Sequence, residues 1–294
     1  MVIRTFAEIE QALAGVPGLR PAVAGAGDAG VLQALVAALD TGLVSDAVLT
    51  GPADTPIPEA WRHRLRLIPA DTAAEAAARA VAEVRAGRAD VLVKGQVDSA
   101  AYLRAVVARE TGLRASATLS NLTLAEIPGL GRLIGATDNG IVPLPDLGQK
   151  RAMIANAVPL LRALGLSPAR VAAIAASEKV SAGQPATVDA QALSRDPPPG
   201  ALVAGPFGYD VALSPSAARA KGFAACPVAG RADLILFPSI EAGNATVKAW
   251  KLHANARTAS IVLGASVPVL LNSRSDSPEA RRLGLVLAAA VSRL

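Results

Sequence analysis

The run Asn272-Ser273-Arg274-Ser275-Asp276-Ser277 sets a hydroxyl, a guanidinium and a carboxylate side by side, after the apolar stretch Val267–Leu271 and before a helical pattern opening at Pro278. A serine hydroxyl, an arginine fork and the free N–H groups of a helix start are three kinds of anion donor. Asp276 also reads as no more than a helix cap. Val93-Lys94-Gly95-Gln96 puts an ammonium at the carboxyl end of a predicted strand. Open α/β sheets bind ligands there, and the charge suits a phosphate or carboxylate; an exposed strand-end lysine is the plainer reading. In Pro238–Lys248, Glu241, Asn244 and Lys248 recur at i, i+3 and i+7 and share one helical face beside Gly243. That face either meets a ligand or is simply solvated.

Gly25-Ala26-Gly27-Asp28-Ala29-Gly30 has the spacing of a dinucleotide-binding turn, and Asp54 follows the next strand where a ribose-binding acid would stand. It motivates an alternative, an NAD(P)-dependent oxidoreductase using Gly25–Gly30. Against it, Asp28 carries a negative charge into a loop that would have to hold phosphates. One cysteine, Cys226, and two histidines, His63 and His253, leave no disulfide framework and no cysteine- or histidine-rich metal site, so no metal is expected. Cys226, with no histidine near it in sequence, reads as a packed structural thiol.

Elements that position these residues follow from the hydrophobic pattern. Strands are predicted at 22–25, 47–51, 66–69, 90–94, 115–120, 133–137, 171–175, 201–205, 234–237, 260–263 and 268–272, and helices at 5–14, 30–40, 73–86, 100–110, 149–164, 215–220, 243–254 and 278–294. Strands apolar throughout, not alternating, imply burial on both faces of a parallel sheet. Their alternation with helices implies βαβ units and a three-layer α/β architecture. Asp98, Ser214 before Pro215 and Ser277 before Pro278 are expected helix caps. The run 195–200, Arg-Asp-Pro-Pro-Pro-Gly, is a surface crossover.

At 294 residues the chain is long for one domain of ~100–200 residues. Hydrophobic residues at 52% and charged residues at 18% exclude a disordered chain. Aromatic residues at 3% leave nothing for a base-stacking platform, and no run of five or more basic residues accompanies the net charge of +5, so no nucleic-acid partner is expected. The run Leu285–Val291 is far short of the ~18 apolar residues of a membrane span, and the acids Glu8 and Glu10 interrupt any N-terminal signal core. The expectation is a cytoplasmic protein that does not enter membranes.

The strand-end motifs, in their order, resemble those of the phosphate acetyltransferase/phosphate butyryltransferase family, the shorter butyryl type in particular. The stretches that carry the resemblance are Val23–Gly30 with Val31-Leu32, Val93-Lys94-Gly95, Thr137-Asp138 with Pro143, the run Gly205–Ser214, Pro227–Leu234, Glu241-Ala242-Gly243-Asn244 with Lys248, Val262–Gly264 with Val267-Pro268, and Ser273–Ser277; the resemblance covers roughly residues 20–294. The resemblance implies two three-layer α/β/α domains with mostly parallel sheets, the second inserted into the first as in isocitrate/isopropylmalate dehydrogenases. The expected division is 1–118 plus 263–294 and an inserted 119–262, with the active site in the cleft between them.

The implied reaction is reversible transfer of a short acyl group between coenzyme A and inorganic phosphate, by direct thiolate attack in a ternary complex. The partners are then acyl-CoA, phosphate and acyl phosphate. No cofactor is needed, coenzyme A being a substrate, and a homodimer or a multiple of dimers is expected. Ser273, Arg274 and Asp276 are the implied catalytic residues; Lys94, Asp138, Asp210, Glu241, Asn244 and Lys248 are the implied substrate-binding residues. The chain departs from the acetyl-type pattern in two places. The aspartate seven residues after the serine, the base for the thiol, is Ala280 here, with Asp276 and Glu279 the nearest carboxylates. Ser239 stands where many members carry an acid. The missing aspartate motivates a second alternative, a non-catalytic acyl-CoA or acyl-phosphate sensing module.

Direct attack needs no protein nucleophile. Cys226→Ser is therefore expected to leave thiol release from acyl-CoA largely intact; loss of turnover in a folded variant would overturn that reading.

Overall fold

The computed structural model describes residues 2–271 and 276–294. In chain order the elements are α1 (Phe6–Ala12), β1 (Pro21–Ala24), α2 (Ala29–Asp40), β2 (Ala47–Gly51), β3 (Leu65–Pro69), α3 (Ala73–Arg85), β4 (Val91–Lys94), α4 (Ser99–Val107), β5 (Ser120–Glu126), β6 (Leu133–Thr137) and α5 (Leu147–Ala163). They continue with β7 (Ala169–Ile174), α6 (Pro185–Arg195), β8 (Ala201–Phe207), α7 (Tyr209–Leu213), α8 (Pro215–Ala220), β9 (Leu234–Leu236), α9 (Ile240–His253), β10 (Arg257–Leu263), β11 (Val269–Leu270) and α10 (Pro278–Arg293).

Two compact units result. Residues 9–115 and 259–294 form one, and residues 1–8 and 116–258 the other. The first eight residues thus group with the unit expected to begin at 119. In the first unit the strands run in the order β3-β2-β1-β4-β11-β10. All neighbours are parallel except β10 and β11, which are antiparallel. In the second the order is β5-β6-β9-β7-β8, antiparallel between β5 and β6 and parallel from there on. The fold is a mostly parallel α/β architecture.

Every residue of β1, β2, β4 and β6 is buried, as the unbroken apolar runs require. The edge strand β3 is instead largely half-buried or exposed. The expected caps form: Asp98 accepts from Ala101 N–H at 2.7 Å, Ser214 from Ala217 N–H at 3.2 Å and Ser277 from Ala280 N–H at 3.1 Å. Each satisfies an orphan donor of a first helical turn. Two expectations need correction. The strand placed at 115–120 lies at Ser120–Glu126, where Leu122 and Leu124 alternate with Asn121 and Thr123. All four are buried, so the alternation does not mark a wet face. The helices α6 and α7 were not expected; Pro185 at the first position of α6 supplies no N–H and sets the helical φ.

In the second unit, Gly243 lets α9 pack closely on the loop after β6. A Cβ there would fall closer than 3.0 Å to the Asp138 carbonyl oxygen and 3.2 Å from Asn139 Cα. Gly243→Ala is expected to push α9 off this loop at a cost of about 1–3 kcal/mol, against less than about 1 kcal/mol gained in helix propensity. A thermal midpoint lowered by several degrees checks it, and an unchanged or raised midpoint contradicts it.

Candidate active site

In the first unit, β4 lies between β1 and β11, with Ala24 beside Lys94 and Val93 beside Leu270. Three carboxyl-terminal strand ends therefore converge. Lys94 is only 8% exposed, and its ammonium reaches the Gly95 carbonyl at 3.5 Å. The chain leaves β11 at Leu271, and the next residues, among them Ser273 and Arg274, lie outside the described residues. Asp276 is half-buried just before the Ser277 cap of α10, and its carbonyl accepts from Arg281 Nε at 3.5 Å.

The glycine-rich turn after β1 is not built for a dinucleotide. Asp28 is the N-cap of α2, and its Oδ1 accepts from Gly30 N–H at 2.9 Å and Val31 N–H at 3.1 Å. The same oxygen lies 3.1 Å from Arg281 Nη1. The donors that a pyrophosphate would need are thus taken by the chain's own carboxylate. The glycines serve a different end. A Cβ on Gly27 would strike Gln96 Oε1, and one on Gly95 the Gly25 carbonyl, so small residues let two strand-end turns touch. Asp54 is exposed. The oxidoreductase alternative loses its structural basis.

In the second unit, Asp138 follows β6 and is 1% exposed. Its carboxylate accepts N–H bonds from Asn121 at 2.8 Å, Gly140 at 2.6 Å and Ile141 at 2.7 Å. Burial pushes this carboxyl above its ordinary range, and the backbone donors pull the other way. Asn139 Oδ1 accepts from Asn121 Nδ2 at 2.7 Å and Thr123 Oγ1 at 3.1 Å, and its carbonyl accepts from Asn244 Nδ2 at 3.1 Å. Asp138 and Asn244 are therefore brought together by one buried polar knot. Glu241 and Lys248 are exposed on the same helix as Asn244. Glu241 is held below the usual carboxylate range by its own backbone N–H and by Ser239.

Asp210 belongs to a different cluster. It stands on α7, where Lys221 Nζ lies 3.1 Å from it and 2.9 Å from Glu178. These three edge a cavity of about 1030 Å³ at the carboxyl ends of β7, β8 and β9, walled by Ile174, Phe237, Pro238, Ala245 and Ala249. The face of α9 that lines it carries Ala242, Ala245, Thr246 and Ala249, not Glu241, Asn244 and Lys248. Two carboxylates against one ammonium leave the rim negative, which disfavours a polyanionic ligand. Glu178 and Lys221 lie 43 residues apart, and no local pattern announces either. Asn139 was detectable only as the neighbour of Asp138. Among the described residues no cluster of three or more His, Cys, Asp and Glu could hold a metal, and no helix is long and apolar enough to cross a membrane.

Residues 69–289 match the family described as phosphate acetyl/butaryl transferase. The chain is 35% identical over 300 residues to the phosphate butyryltransferase of Clostridium acetobutylicum, covering 99% of each chain. It is 36% identical over 284 residues to the phosphate acetyltransferase of Thermotoga maritima, covering 92% of this chain and 95% of that one. Among solved structures it is similar to a branched-chain phosphotransacylase from Enterococcus faecalis V583, with a TM-score of 0.84, 26% identity, and coverage of 94% of this chain and 100% of that one.

Hydrogen bonds from Lys221 are the largest influence holding the Glu178 and Asp210 carboxyls below their ordinary range, and those two carboxylates raise Lys221. Lys221→Met is expected to move both carboxyls upward in a side-chain NMR titration. Unmoved titrations would show that the cluster is not electrostatically joined.

Proposed function

The chain belongs to the phosphate acetyl/butyryltransferase family and is a phosphate acyltransferase; from that premise we propose that it transfers a short acyl group between coenzyme A and inorganic phosphate through Ser273, Arg274 and Lys94. The observation that carries the assignment of residues is the register of β4 against β11. It sets Lys94 beside the end of the strand from which Ser273 and Arg274 follow.

The chemistry needs little covalent help from the protein. The coenzyme A sulfur adds to the carbonyl carbon of the acyl phosphate, the bond from that carbon to the phosphate oxygen breaks, and phosphate leaves with the electron pair. A thiol of pKa ~8.5 is mostly protonated at neutral pH, so a cation beside it or a carboxylate base raises the thiolate fraction. Lys94 supplies the cation, and Asp276 is the carboxylate proposed where the family's aspartate is Ala280. Asp28 is unsuited to that role, because three donors already hold its Oδ1. Arg274 grips the phosphate in a bidentate fork, and Ser273 donates to the oxyanion that forms on attack. Holding two anions together against their repulsion is most of the catalysis.

Asp138, Glu241, Asn244 and Lys248 are proposed substrate contacts of the second unit, Asp138 by fixing the loop that Asn244 binds. Asp210 remains a proposed contact through the Lys221 cluster. The proposed setting is cytoplasmic and the proposed assembly a homodimer. A sensing module is the second reading, favoured by Ala280 alone.

The test is phosphate-dependent thiol release across acyl-CoAs of increasing chain length. Turnover is expected with the unaltered chain, and binding without turnover would establish the sensor. Arg274→Ala is expected to lower kcat/KM by about 10²-fold or more; near-normal kinetics would remove Arg274 from its role.

A further inference from the structure

We propose that the first unit carries a separate anion site, a groove at the amino ends of β1, β2 and β3 that binds a polyphosphate of nucleoside diphosphate size. The groove uses none of the residues assigned to acyl transfer.

Arg20 directly precedes β1, Asp46 directly precedes β2, and Arg62-His63-Arg64 leads into β3, whose second residue is Arg66. Arg88 lies between α3 and β4. These side chains edge one cavity of about 580 Å³, a size that suits a small ligand and not a polymer. β1, β2, β3 and β4 run parallel, so the groove lies at the opposite end of the strands from Lys94.

Five guanidiniums and one imidazole line this cavity with a single carboxylate, Asp46. The carboxylates behind them are shared. Glu83 of α3, 5% exposed, holds both Arg66 and Arg88, the latter through Nε and Nη2, each at 2.8 Å. Asp90 serves Arg20, at 3.4 Å, and Arg293 as well. Glu59 faces Arg62 at 2.9 Å. Among the described residues Arg64 meets no carboxylate; its guanidinium carbon lies 5.6 Å from the centre of the Trp61 ring. With Arg293 included, six guanidiniums answer to Asp46, Glu59, Glu83 and Asp90, and positive charge is left over. Crowded cations in a concave site raise the local potential, which an anion relieves.

The groove is also built before a ligand arrives. The buried Glu83 fixes two guanidiniums at its wall, and among the described residues Arg66 Nε and Nη1 and Arg88 Nη1 donate to no other group. Forks already held in place lose less side-chain entropy on gripping phosphate oxygens. Trp61 braces Arg64 and stacks on His63, with ring centres 6.3 Å apart. The Asp46 carboxylate accepts from Ser45 Oγ at 2.9 Å and, among the described residues, has no cation within 4 Å. It is an acceptor suited to a hydroxyl of the ribose that a nucleotide adds to its phosphates.

The purified full chain is titrated calorimetrically with ADP and with inorganic tripolyphosphate at low ionic strength, where surface charge is least screened. At least one probe is expected to bind with Kd below about 1 mM. Equal affinities assign recognition to the phosphates, and tighter ADP binding adds the nucleoside; both support the site. His63 is one of only two histidines, and its ring NMR signals, identified with His63→Asn, are expected to shift with the probe while those of His253 do not. The double variant Arg64→Gln, Arg66→Gln leaves Arg88 on Glu83. It is expected to bind at least about tenfold more weakly, with kcat and KM for acyl-CoA and phosphate unchanged. Coenzyme A carries a diphosphate too, so Arg274→Ala is also titrated, and its affinity for the probe is expected to match that of the unaltered chain.

Kd weaker than about 1 mM for both probes overturns the proposal. So does an unmoved His63 signal, undiminished affinity in the folded double variant, or binding that Arg274→Ala abolishes. Tighter binding of a single-stranded oligonucleotide than of either probe overturns it as well, and marks the face as a nucleic-acid surface. If the double variant does not fold, the His63 shift in the unaltered chain decides.

Discussion

A parallel sheet covered on both faces has only its strand ends to offer a ligand. That constraint organises both units. β1, β2, β4 and β6 are buried along their whole length, so a polar side chain inside them, short of the last residue, does not meet water. The first residue free to carry charge is the last of a strand or the first of the turn beyond it. Lys94, Asp138 and the glycine-rich turn at Gly25 all stand there. The same places hold the starts of the following helices, whose unpaired N–H groups call for acceptors.

How those acceptors are supplied separates helix starts that are closed from residues available for chemistry. Asp28 closes α2, Asp98 closes α4, Ser239 closes α9 and Ser277 closes α10. Asp138 is saturated by the backbone of its own loop and of Asn121. A carboxylate so engaged shapes the chain and is poorly placed to take a proton. For a transferase that must bring two anions together, filling the helix starts with the chain's own carboxylates and hydroxyls leaves anion binding to chosen cations, which is consistent with roles for Lys94 and Arg274. The apolar cavity beside Glu178, Asp210 and Lys221 has the opposite electrical character, and its volume is no argument that coenzyme A enters it.

Much of the fold was legible because its signals are local. Unbroken apolar runs announced the buried parallel strands, and Asp98, Ser214-Pro215 and Ser277-Pro278 announced helix starts, since a cap needs only residues three apart. The strand at 120–126 was misplaced because Asn121 and Thr123 look like solvent-facing positions. Their burial depends on Asn139, which reaches them from the end of another strand. The glycine pattern at 25–30 matched a cofactor turn by spacing alone. Its glycines answer to Gln96 and Gly95, which no reading of that motif could supply.

Residue types and their order along the chain determined the α/β class, the family and the identity of the charged groups at strand ends, because burial patterns and short motifs are written in neighbouring residues. Tertiary structure alone decided which charges are spent. Asp28 meets Arg281 across 253 residues, Lys221 meets Glu178 across 43, and α9 turns Asn244 toward Asn139 while a different face lines the cavity with Asp210. Electrostatic pairing acts through distance in space, and a linear chain does not record which of its distant residues folding will bring within 3 Å.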